Sequence, residues 1–203
     1  GNGWLSLTNS VVIGNLGGAA GGGIYNQNGR VTIDHSSVAL NSGAGMVNNT
    51  GGILEVNFSI VADNSGSGIS NLSNLTITAS TVSGNSSNMP GGGIINANSA
   101  TLVNSTVYGN HSNGEGGGFY NQTGAVVNST NSTVAANSAN TGGGALNAGI
   151  FNARNTIFAD NVSNFGAAPD FSGSLASMGY NLIENPSGAT ITAGSWPTST
   201  STG

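Results

Sequence analysis

Cysteine and lysine are absent from this 203-residue chain, and charged residues make up only 4% of it. Each absence removes a class of function. Without Cys there is no disulfide framework, thiolate nucleophile or Cys-ligated zinc. Two arginines, Arg30 and Arg154, cannot build the basic stripe that neutralises nucleic-acid phosphates. A polybasic contact with an anionic membrane fails for the same reason. No apolar run approaches the roughly 20 residues of a bilayer-spanning helix. An ordinary soluble domain is roughly 25% charged, so the polar surface here must be neutral Asn, Ser and Thr. Disorder pairs low hydrophobicity with high net charge, whereas 36% of this chain is apolar and its formal charge is −5.

Glycine, by contrast, occurs 35 times, and its placement is periodic. Two motifs alternate. The first has apolar residues at alternating positions, then Ser or Thr, an apolar residue and a terminal Asn, as in Leu5 to Asn15, Val31 to Asn41 and Leu54 to Asn64. It recurs as Leu75 to Asn85, Ala100 to Asn110, Val127 to Asn137 and Phe151 to Asn161. The terminal residues Asn15, Asn41, Asn64, Asn85, Asn110, Asn137 and Asn161 are spaced by 26, 23, 21, 25, 27 and 24. The second motif is a glycine cluster followed by an apolar residue, any residue and Asn. Its Asn residues are Asn26, Asn48, Asn71, Asn96, Asn121 and Asn147.

This repeat predicts a parallel β-helix of about seven coils, all-β, over residues 1–185. Pairs such as Val31/Ile33 and Leu75/Ile77 have the period of two that belongs to strands, and Val, Ile and Thr favour pleated structure. Glycine triplets would destroy a helical repeat, and helical repeats are longer. Stacked about 4.8 Å apart, the coils bury Val12, Val38, Val61, Val82, Val107, Val134 and Phe158 as one column. Ile24, Met46, Ile69, Ile94, Phe119 and Ala145 form a second, and the early apolar pair a third. The Asn residues are expected to bond in ladders from coil to coil. Glycines are expected to supply positive φ and close backbone approach at the corners.

The GGGI and x-x-Asn motifs resemble the repeats of right-handed parallel β-helix proteins in the pectate-lyase-like superfamily. The nearest likeness is to polymorphic outer-membrane-protein type repeats, with a GGA[I/L/V] motif and Phe-x-x-Asn. Here Gly mostly replaces Ala, and Val replaces Phe except at Phe158. Asp170 to Ile183 resembles the closing coil of bacterial surface β-helix proteins. The resemblance implies an exported, cell-surface location and says little of activity. No export signal is visible around Gly1 to Trp4, so the chain reads as a mature or excised segment. Residues 186–203 read as a closing segment with a Ser/Thr-rich linker tail.

Catalysis is not expected. Glycoside hydrolysis needs two facing carboxylates, and only Asp34 and Glu55, in neighbouring coils, form a pair to examine. A lyase would need an acidic cluster beside a base, and no Lys exists. His35 and His111 fall at different points of the repeat, which argues against a metal pair. No cofactor is expected. The column Ser10, Ser36, Ser59, Ser80, Ser105, Ser132 and Thr156 suggests a structural hydroxyl ladder. The adjoining row Val11, Ser37, Ile60, Thr81, Thr106, Thr133 and Ile157 leaves ice binding as a minor alternative, interrupted as it is by apolar residues. The leading expectation is a non-enzymatic structural or adhesive scaffold that self-associates end to end or meets surface proteins or glycans, with Trp4 and Trp196 as end contacts. The alternative is a carbohydrate-active module, with Tyr25, Tyr108 and Tyr120 as candidate sugar-stacking aromatics.

Overall fold

The structure is a computed structural model that describes residues 3–17, 21–166, 168–193 and 200–202. Among them there is no helix; every regular element is a strand and all the strand pairing is parallel. The chain is a β-helix. Its first sheet stacks seven five-residue strands, beginning Trp4–Thr8, Arg30–Asp34, Ile53–Asn57 and Asn74–Thr78 and ending with Ile150–Arg154. The second stacks three-residue strands from Val11–Ile13 to Asn181–Ile183, followed by Thr200–Thr202. A third runs from Ile24–Asn26 to Ala145–Asn147. Phe171–Ser177 pairs through Phe171–Gly173 with the third sheet and through Ala176–Ser177 with the first, so one strand joins the two. Ala189–Ala193 adds to its other side.

The predicted motifs fall in register. Val12 pairs with Val38, Val61 with Val82, and Val134 with Phe158. From Val38 onward this column has no solvent exposure. Ile24 through Ala145 form the inner column of the third sheet, and the early apolar pairs form those of the first. Volumes compensate between columns. Ala145 lies between Phe119 and Phe171 in its own column, and the Phe151 ring makes edge contacts with both, at 5.7 and 5.2 Å between centroids. Phe158 also meets Phe151 and Phe171 edge-on, so four phenyl rings fill the last coils of the core.

Two expectations about the corners are refined. The corner between the first and second sheets is made by a left-handed residue in each of the seven coils that carry a five-residue strand, yet none of these is glycine. His35, Phe58 and Ala79 have φ of 46°, 47° and 47°, and Asn104, Asn131 and Asn155 do the same work. A left-handed residue costs roughly 1–2 kcal/mol. It is held because its N–H bonds to the next coil, as with Phe58 N to Thr78 O at 3.0 Å and Ala79 N to Val103 O at 3.0 Å. None of these corner residues is β-branched, the type least able to adopt that conformation. In the triplets, the first glycine supplies positive φ (Gly116, +64°). The last is required by crowding: a Cβ on Gly93 would lie 2.6 Å from Gly118 O in the next coil.

Coil length varies most at one connection. Between the terminal Asn and the glycine cluster there are five residues at 16–20, 86–90 and 111–115, and four at 138–141, but one each at Ser42 and Ser65. The longer connections build a fourth, small sheet of Ser86–Ser87, His111–Ser112, Ser138–Ala139 and Val162–Ser163. The second and third coils lack it, which leaves a notch in that side of the rod.

Candidate functional site

Three groups of side chains could carry function: the Asn ladders, the few charges, and the lining of the notch. In the first ladder each side-chain amide donates to the Oδ1 of the next coil's Asn. The series runs from Asn15 through Asn41, Asn64, Asn85, Asn110 and Asn137 to Asn161, with distances of 2.8–3.0 Å. The same Oδ1 also accepts the backbone N–H of the previous Asn, as Asn85 Oδ1 does from Asn64 at 3.1 Å. In the second ladder Asn26, Asn48, Asn71, Asn96, Asn121 and Asn147 are linked at 2.7–2.8 Å. The serine column is also internal. Ser59 and Ser80 are buried, and Ser80 Oγ donates to Thr78 O and accepts the N–H of Ser59. Among the described residues, no buried side-chain N or O lacks a partner. The Ser column therefore faces inward, while the adjoining outward row is broken by Val11, Ile60 and Ile157.

Both ladders point their N–H ends toward the C-terminal coils. The first ends on a carboxylate: Asn161 donates its Nδ2 and its backbone N–H to Asp170 Oδ1, at 2.8 and 3.3 Å. Asp170 Oδ2 accepts Asn185 N at 2.6 Å. In the register of the strands Ile157–Ala159 and Asn181–Ile183, the next ladder position falls on Pro186, which has no side-chain acceptor. Asp170 fills the place from the residue just before Phe171, the register position that Gly144 holds in the preceding coil. Burial pushes its carboxyl above the ordinary range; the Asn161 and Asn185 hydrogen bonds oppose this, and nearby Glu184 adds to it. The sequence signals are an Asp where earlier coils carry the last glycine of the cluster, as at Gly118 and Gly144, and the missing Asn at 186.

Four of the nine charged residues, Arg30, Asp34, Glu55 and Arg154, lie on the strands of the first sheet. Thr32 pairs with Glu55, and Asp34 with Asn57, so Asp34 and Glu55 lie diagonally on adjacent strands of one face. They are not poised across a cleft. Glu55 is held by Arg30 at 2.7 Å and by the Thr32 hydroxyl at 3.0 Å. Asp34 meets His35 Nδ1 at 3.0 Å, and the His35 ring stacks on Phe58 at 5.0 Å. Each carboxylate thus has its own partner on an open surface, without the water-excluded geometry that acid–base catalysis uses. His111 is elsewhere, bonded to Ser138 and Asn113. Among the described residues no three His, Asp or Glu converge as a metal-holding group, and no helix is long and apolar enough to cross a membrane.

The notch is a groove of about 530 Å³ on the outer side of the third sheet. Its floor is the short connections at Ser65 and Gly66, and one wall is Asn88 and Met89 of the fourth coil. Tyr25 borders the other end, its hydroxyl accepting a hydrogen bond from Asn49 Nδ2 at 2.9 Å. Tyr120 shares the column of Tyr25 but lies outside the groove, and Tyr108 belongs to the second sheet. Trp4 stands on the first coil, 77% exposed; Trp196 lies outside the described residues. No protein family, curated protein or solved structure matches the chain.

Proposed function

We propose that this chain is a non-enzymatic structural and adhesive β-helix scaffold displayed on the outside of a cell, of the kind its polymorphic outer-membrane type repeats resemble. One observation carries the reading: the regular positions of the repeat are consumed by stacking. Apolar columns fill the core, Asn and Ser ladders satisfy one another, and Asp34 and Glu55 are already paired on an open face. Little polar chemistry is left for a transition state. The sparsely charged surface, 4% charged residues with a net charge of −5, supports contact with neighbours at little long-range repulsion. The first coil adds exposed apolar groups, Trp4 at 77% and Leu16 at 93%, of the kind that end-to-end association would bury.

The test combines two assays on the full chain. Reducing-sugar and unsaturated-product assays over a polysaccharide panel should show no release. Sedimentation should show concentration-dependent association that Trp4→Ala weakens. Sugar release lost in Asp34→Asn or Glu55→Gln would replace the scaffold with a carbohydrate-active enzyme. A strict monomer at all concentrations would remove the self-association.

A further inference from the structure

We propose that the notch left by the two short coils binds a neutral polysaccharide chain. The inference deepens the adhesive part of the scaffold reading and rests on it. The groove follows from chain length: Ser42 and Ser65 each do in one residue what Ser86 to Pro90 does in five. The missing turns open a gap two coils wide, roughly 10 Å at the strand spacing. The fourth coil then stands up as its wall, with Met89 67% exposed.

The lining chooses the ligand class. None of the residues that border the groove is charged, so an acidic polyuronate or a cationic segment would find no countercharge there. What the groove offers is an alternation of apolar surface with neutral hydroxyls and amides. Tyr25 is half exposed, and its Asn49 hydrogen bond ties the phenol in place. Met89, beside Asn88, stands on the far wall roughly 14 Å away, three coil spacings on, and Ser65 and Ser70 lie between. A sugar ring presents the complement of this pattern: an apolar C–H face for an aromatic or thioether, and an edge of hydroxyls that both donate and accept. An extended peptide fits less well, because strand addition needs a free sheet edge. The edge strand here, Ser86–Ser87, is two residues long, and its Ser86 N–H is already bonded to Asn64 O at 3.0 Å.

Affinity electrophoresis of the full chain through gels containing mannan, dextran or galactan, with polygalacturonate as the acidic comparison, tests the proposal. At least one neutral polymer should retard the protein, and polygalacturonate should not. Tyr25→Ala and Met89→Ala should each weaken retardation at least tenfold. Both side chains are exposed, so folding should be preserved and is checked by the urea midpoint. Tyr120→Ala, in the same column outside the groove, should change nothing. Retardation by polygalacturonate alone, by no neutral polymer, or undiminished in both groove variants overturns the proposal. Such a failure leaves the scaffold reading standing, whereas sugar release would overturn the scaffold whether or not the groove binds.

Discussion

Asn161 and Asp170 share one carboxylate oxygen as the end of a ladder that crosses all seven coils, with two N–H groups of Asn161 converging on Asp170 Oδ1. Side-chain amides aligned head to tail leave their positive ends at this terminus, and a carboxylate there answers them as an acid does at a helix N-terminus. Its burial has a pH consequence. The folded-state pKa is raised above the ordinary value, so the native protein keeps this proton at pH values where the unfolded chain has lost it. The associated stability is full below the unfolded carboxylate pKa, about 3.9, and is lost as pH rises through the raised folded value. Wild type should therefore lose stability relative to Asp170→Asn from about pH 4 upward. Urea unfolding of both proteins across that range measures it. A stability difference independent of pH would contradict the assignment.

The interior of the ladder should be far more sensitive than amide pairs on the surface. Asn85→Ala removes the acceptor for both Asn64 N–H groups and the donor to Asn110 and Val61 O, all buried. Leaving such groups unpaired should cost about 3 kcal/mol. Asn152→Ala removes only the exposed bond to Asn128 Oδ1 at 2.8 Å and should cost less than about 0.5 kcal/mol. Comparable losses at the two sites, measured by urea denaturation, would mean that burial does not set the ladder's worth.

Glycines of similar appearance should differ in the same way. A methyl at Gly93 presses on Gly118 O and Val107, rigid parts of the stack, so Gly93→Ala should cost about 3 kcal/mol. Gly109 has φ of +62° and nothing within 4 Å of the position of a Cβ. Gly109→Ala carries only the left-handed strain of roughly 1–2 kcal/mol. Thermal or urea unfolding of the pair separates crowding from backbone conformation, and equal losses would refute the distinction.

The sequence by itself determined the coil. Period-two alternation places Val31 and Ile33 inside, and repeated Asn and Gly can be satisfied together only by stacking equivalent positions, so columns, ladders and register were legible before any coordinates. Local residue types carry that information because each coil meets its own copy above and below. What tertiary structure decided lies where the repetition fails. The corner conformations of Phe58 and Ala79 have no residue signature, since the hydrogen bonds that hold them come from the next coil. Asp170 stands in the glycine column's register, and only the fold shows its side chain crossing to cap the Asn ladder. The notch is a difference in length between neighbouring coils; it becomes a surface only when the fourth coil rises beside the second and third.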